Sequence, residues 1–145
     1  MFVTVAFYKA PGEFYDKLTR WWMLGPYSHC ELVLEQVDST ATCASASPRD
    51  GGVCIREITF KPDAWDFVTV ELSLDELLFA KDWLNKHKGK KYDFFGLFGF
   101  ILRRIKDKQD SFFCSEAIAA MLQIEAPWRL DPNALYYVLK YKSKA

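Results

Sequence analysis

From His29 onward the chain alternates apolar and polar residues in four short runs, near 29–36, 40–46, 53–59 and 66–72. Only Asp38-Ser39, the turn 47–52 rich in Ser, Pro and Gly, and Lys61-Pro62-Asp63 separate them. Connections this short predict a sheet whose strands are antiparallel neighbours. A further run, Met1-Phe2-Val3-Thr4-Val5-Ala6-Phe7-Tyr8, also reads as a strand. The fold class expected is therefore α+β, because what surrounds these strands has the spacing of helices.

Phe14, Leu18, Trp21 and Trp22 fall at helical spacing over 13–22, with Gly25-Pro26 as the stop and the two tryptophans expected in the core or on the wall of a groove. Ser73 with Glu76 three residues later is a capping box, opening a helix with Leu77, Leu78, Trp83 and Leu84 that ends near Gly89. Phe113, Ala117, Ala120, Met121 and Ile124 mark another, with Asp110 or Ser111 as its cap. Beyond Pro127 and Pro132 the piece from Ala134 to Lys140 is helical or extended. With 145 residues and no repeat or linker, residues 1–145 are expected to form a single domain.

Nineteen basic residues balance 19 acidic ones, which argues against nucleic acid as a partner. The N-terminal run lacks the basic flank and cleavage site of a signal peptide, so a cytoplasmic protein is expected. The apolar run 94–102 is too short to span a bilayer. It reads either as a buried segment beside the functional site or as an aromatic wall for an acyl chain. In the second case Arg103, Arg104, Lys106 and Lys108 would favour peripheral membrane contact through 94–104.

The four cysteines, Cys30, Cys43, Cys54 and Cys114, form no C-x-x-C pair, and with two histidines they offer no metal-ligand spacing. No metal and no cofactor is expected. Cys30, Cys43 and Cys54 read as small buried hydrophobes on strands. Cys114 differs, since the first turn of a helix favours the thiolate, which is the nucleophilic form. A thiolate needs an imidazole to carry protons. His29 heads a strand, whereas His87 ends a Lys-rich helix, so Cys114 pairs with His29.

A cysteine on a helix N-terminus against a strand that presents a histidine is the arrangement of papain-like hydrolases. Phe113-Cys114-Ser115-Glu116-Ala117-Ile118 resembles the Asp-Cys-Ser-Gly-Leu-Val box of NlpC-type papain-like amidases. Gly89-Lys90-Lys91-Tyr92-Asp93-Phe94-Phe95-Gly96 resembles their Gly-x-Pro-Tyr-x-Trp-Gly-Gly box, and Ser28-His29-Cys30-Glu31-Leu32-Val33-Leu34 their histidine strand. In the ordinary family the cysteine helix precedes the histidine strand. Here His29 comes first, which resembles the circularly permuted branch, where the boxes often read Tyr/Phe-Cys-Ser-Glu and Gly-x-x-Tyr-Asp. The resemblance covers residues 27–120.

It implies a small antiparallel sheet packed against the cysteine helix, and hydrolysis of an amide or ester in a peptide-like or lipid-like substrate. Cys114 would be the nucleophile and His29 the acid/base. Tyr92, with Ser115 and Tyr27, would line the oxyanion or substrate position. The third residue, which orients the imidazole, is expected on the strand after His29. That strand, 40–47, carries no Asp, Glu, Asn, Gln or His, where the permuted branch frequently has Glu. Ser45 is the choice, with Thr42 and Ser47 behind it, because a hydroxyl accepts from an imidazole N–H. Glu31, on the strand of His29, is the substitute, though solvent exposure or pairing with a base is its expected fate. The missing carboxylate motivates a rival reading, a binding or inhibitory protein that keeps the fold without turnover.

Overall fold

The computed structural model describes residues 1–10, 17, 21, 25–47, 51–92 and 111–144, with Lys91, Tyr92 and Ser111 described in the backbone alone. Five strands form an antiparallel sheet: β1 (Phe2–Tyr8), β2 (His29–Val37), β3 (Thr40–Ser47), β4 (Gly52–Thr59) and β5 (Trp65–Glu71), in the spatial order β5-β1-β2-β3-β4. Two short strands, β6 (Lys91–Tyr92) and β7 (Ser111–Phe112), extend it beyond β4 and pair parallel with each other. The helices are α1 (Leu74–His87), α2 (Cys114–Met121) and α3 (Pro132–Lys142), with a 3-10 turn at Pro127–Arg129. The fold is α+β.

Local chemistry accounts for these boundaries. The link between β2 and β3 is Asp38-Ser39, with Asp38 at φ 54°, a left-handed conformation that Asp tolerates better than most residues. At α1, Ser73 Oγ accepts from Glu76 N at 3.2 Å and Glu76 Oε2 accepts from Ser73 N at 2.7 Å, the expected reciprocal cap. Pro132 opens α3 at its first position, where a missing N–H costs nothing, and Asp131 caps it through Ala134 N at 2.8 Å. The last piece of the chain is thus a helix.

One expected neighbour is wrong. β5 pairs with β1 along its whole length, not with β4. The link 60–64 carries the chain to the other edge, tied to Ser39 O by Phe60 N at 2.7 Å and to Lys9 N by Ala64 O at 2.9 Å. Burial supplies the reason, since Phe60 and Trp65 cover Ala6, Ala41 and Cys43 on one face of the sheet. The other face carries Val5, Phe7, Cys30, Leu32, Ala44 and Ala46, and α2 packs on it through Ala117, Ile118 and Met121. Both faces are therefore partly closed, which makes β2, with neighbours on either side, an interior strand.

Of the helix expected over 13–22, Lys17 and Trp21 are described, both helical, and Trp21 is exposed rather than in the core or a groove wall. Trp22 and the run 94–104 lie outside the described residues. Among the described residues no helix is long and apolar enough to cross a membrane.

The loop that delivers His29 is anchored from the far end of the chain. Asn133 Oδ1 accepts from Tyr27 N at 2.9 Å and Asn133 Nδ2 donates to Tyr27 O at 3.1 Å, both in the interior. A Cβ on Gly25 would lie 2.3 Å from Asn133 Cγ, so this close approach requires glycine. Asn133→Ala, which orphans a buried N–H and C=O, is expected to cost about 2 kcal/mol in urea denaturation. An unchanged midpoint would show that the clamp contributes nothing.

Candidate active site

Cys114 is the first residue of α2, after Phe113 in an extended conformation. The expected cap is absent: Ser111 lies in β7 instead, and Asp110 is outside the described residues. Phe113 N donates to Glu116 Oε2 at 3.4 Å, so the cap comes from inside the helix. This leaves the Cys114 sulfur at the positive end of α2, in the first turn as the sequence predicts.

His29 opens β2 beside it. Its Nε2 lies 2.6 Å from Glu31 Oε1, which leaves Nδ1 for Cys114. Glu31 has no exposed surface. The same Oε1 accepts from Arg56 Nη2 at 2.6 Å and from Arg56 Nε at 3.2 Å, and Arg56 Nη2 stands 3.5 Å from His29 Nε2. Glu31 Oε2 makes no hydrogen bond. Two residues on, the alternation of β2 sets Val33 with Cys43 and Ala6, the face from which Arg56 reaches across.

The charges follow from this geometry. Burial opposes the His29 cation, yet Cys114 and Glu31 outweigh it and push the imidazole up to about 10. Burial likewise opposes the Cys114 thiolate, but hydrogen bonds from the Cys30 thiol and N–H, together with the His29 charge, hold it well below the ordinary thiol value. Glu31 is buried and still held below the carboxylate range, by His29 first and Arg56 second. Burial pushes the Cys30 thiol up, opposite in direction to Cys114. Asp131 is pushed up by burial and by the neighbouring Cys114 charge.

The structure brings Cys114 and His29 together and does not bring Ser45 to the imidazole. Ser45 Oγ donates instead to Cys30 O at 2.7 Å, which turns the hydroxyl into a clasp between β2 and β3. Thr42, partly buried, pairs with Glu35 and Glu57 further along the sheet, and Ser47 is buried at the end of β3 opposite Gly52. Neither replaces Glu31. Tyr27 is not available to a substrate: it is buried and its hydroxyl donates to Asp66 Oδ2 at 2.6 Å, with Lys9 Nζ on Oδ1 at 2.8 Å. Ser115 is fully buried and its hydroxyl donates to Leu130 O at 2.6 Å, fixing α2 to the segment before α3. The Tyr92 side chain lies outside the described residues, although its backbone pairs with Phe112, two residues before Cys114. His87 stacks on Trp83 at 4.1 Å and its Nδ1 lies 2.7 Å from Trp83 O, as a helix-end histidine would.

Sequence reasoning missed Arg56 and Cys30. Arg56 offered a signal, the one basic residue of β4, whereas Cys30 looked like any core cysteine. Among the described residues no group of three or more His, Cys, Asp or Glu could hold a metal ion. A cavity of about 320 Å³ lined by Val3, Leu32, Ile55, Leu77, Leu84 and Met121, among others, opens under α1. Met121 is the other end of α2 from Cys114, about 10 Å along the helix, so the cavity and the sulfur are separate features.

No protein-family model matches the chain, and no curated protein matches it. The geometry of the site therefore carries the functional argument.

The paired shifts set a pH window. His29 rises from 6.5 to about 10, so its contribution to stability is fully present below pH 6.5 and is lost as pH rises through about 10. Cys114 falls from 9.0, so its contribution is fully present above pH 9.0 and is lost as pH falls through the lowered value. As pH rises toward 9.0 the fall in the His29 contribution is offset by the rise in that of Cys114, so the sum runs level there and declines above pH 9.0. The unfolding free energy of the wild type minus that of a Cys114→Ser/His29→Asn double variant is expected to trace this plateau. A difference with no pH dependence would contradict the ion pair.

Proposed function

We propose that the protein is a cysteine hydrolase of the circularly permuted, NlpC-type papain-like kind, cleaving an amide or ester. The observation that carries this reading is the line Cys114–His29–Glu31, in which a thiolate, an imidazolium and a buried carboxylate share one strand and one helix start. The chain order supports it as well, because the parallel pair β6–β7 sets the tyrosine box beside the cysteine box after the histidine strand has passed.

In this mechanism the Cys114 thiolate attacks the carbonyl carbon, and the electron pair moves to oxygen. The Cys114 backbone N–H, in the first turn of α2, is the donor that this reading assigns to the developing oxyanion. The His29 imidazolium gives its proton to the departing nitrogen or oxygen, leaving a thioester on Cys114 and a neutral ring. Neutral His29 then takes a proton from water, the hydroxide adds to the thioester, and the acid leaves as the thiolate returns. Glu31 stays ionised throughout, and its contact with Nε2 keeps Nδ1 aimed at the sulfur. Arg56 holds Glu31 in turn.

The rival reading, a binding or inhibitory protein without turnover, rested on the lack of a carboxylate on β3. Glu31 supplies that charge from β2, which favours the hydrolase reading. The substrate class is peptide-like or lipid-like, and acyl esters, γ-glutamyl amides and isopeptides form the screen.

With a substrate in hand, Cys114→Ala and His29→Ala are each expected to lose at least about 100-fold in turnover, and the double variant little more, because the residues act as one unit. Glu31→Gln should lower kcat by about tenfold or more, whereas Ser45→Ala should change it by less than about threefold. Full activity in folded Cys114→Ala would overturn the hydrolase reading. A silent Glu31→Gln beside a damaging Ser45→Ala would reverse the assignment of the orienting residue.

A further inference from the structure

The face that α1 turns to the sheet is apolar with a polar margin. Leu77, Ala80 and Leu84 recur at helical spacing, and Lys81 and Asn85 lie one turn apart beside them, all five on the wall of the cavity of about 320 Å³. Opposite stand Leu32 of β2 and Ile55 of β4, which flank Ala44 across three paired strands. Ala44 and Ala80 each offer only a methyl group, so depth is left between helix and sheet. Lys81 and Asn85 are exposed, as is Leu34 at the bulge of β2, and these three form the mouth.

A void walled by leucines forfeits dispersion contacts, and a solute that fills it restores them. An apolar cavity of roughly 150 Å³ is enough to hold benzene, and by that scale the space under α1 takes a single chain of about ten carbons. The mouth selects the other end of the ligand. Asp82 and Lys86 neutralise each other at 2.7 Å, whereas Lys81 is in no ion pair among the described residues. A lysine at such a rim lays its stem on the apolar wall and keeps its ammonium in water. The Asn85 amide, four residues on, adds a neutral donor. A cation and an amide donor at the open end of an apolar cavity complement a carboxylate at the end of a hydrocarbon chain.

We propose that this cavity is a binding site for a free medium-chain fatty acid, its tail under α1 and its carboxylate at Lys81 and Asn85. A neutral chain lacks the charge that Lys81 meets, and a two-chain lipid exceeds the volume. The site is at the opposite end of α2 from Cys114, and the inference is independent of the hydrolase reading.

The probe is sodium decanoate, titrated calorimetrically into the full chain below its micelle concentration, with decanol as the uncharged control. Saturable binding of decanoate is expected, with a negative heat-capacity change from the buried chain. Ala80→Phe, which fills the cavity, should weaken that binding by at least about tenfold. If this variant does not fold, Leu34→Trp, at an exposed position, blocks the mouth and carries the same expectation. Lys81→Glu should weaken decanoate by about tenfold and decanol by less than about threefold. Cys114→Ala should bind decanoate as the wild type does. Absence of saturable binding, or an affinity unchanged in the space-filling variants, would overturn the site. Equal affinity of Lys81→Glu and the wild type for decanoate would overturn the choice of a fatty acid, and loss of binding in folded Cys114→Ala would put the chain at the sulfur and overturn the proposal.

Discussion

A carboxylate with no exposed surface sits in the interior strand of this sheet, and two basic side chains meet it at one oxygen. Burying Glu31 alone would cost several kcal/mol, or force it to take up a proton. Arg56 and His29 remove that need. Breaking either contact would leave a buried charge with one partner, which is worse than having no charge there at all. The orientation of the imidazole is thus a consequence of how the sheet tolerates Glu31. His29 is aimed because Glu31 must be neutralised.

Much of the remaining polar chemistry serves to keep that arrangement in place. Ser45 clasps the Cys30 carbonyl, Ser115 ties α2 to Leu130, and Asn133 fixes the loop ahead of His29. Ser115 was expected to line the substrate position and Ser45 to orient the imidazole, and both hydroxyls, like the Asn133 amide, are committed to backbone. This is the usual fate of a buried polar side chain, since an unmet backbone group costs more than a hydroxyl gains by waiting for a ligand. Among the described residues, the sulfur of Cys114 and the ring of His29 are left for chemistry.

Local features were legible in the sequence, whereas of the long-range ones some were and some were not. The strand runs from His29 to Thr59 and the capping box at Ser73 follow from side-chain alternation and from one reciprocal pair of hydrogen bonds, both contained within a few residues. The pairing of β5 with β1 was hidden because it depends on where Phe60 and Trp65 find apolar cover, which is decided by residues far away in sequence. The pairing of His29 with Cys114 was recoverable from residue type and place in their elements. Glu31 was undervalued because a strand glutamate is ordinarily solvated, and its burial depends on Arg56, which alternation alone does not connect to it. Cys30 gave no signal, since its sequence context is that of a core cysteine.

The central claim is that the helix start, His29 and Glu31 together hold Cys114 as a thiolate at neutral pH. Iodoacetamide titrated against the native protein near neutral pH, with labelled sites read by peptide mass, tests it most directly. Cys114 should be alkylated first, while Cys30, Cys43 and Cys54 stay unmodified until the chain unfolds. Labelling of all four cysteines at one rate, or of Cys54 ahead of Cys114, would contradict it.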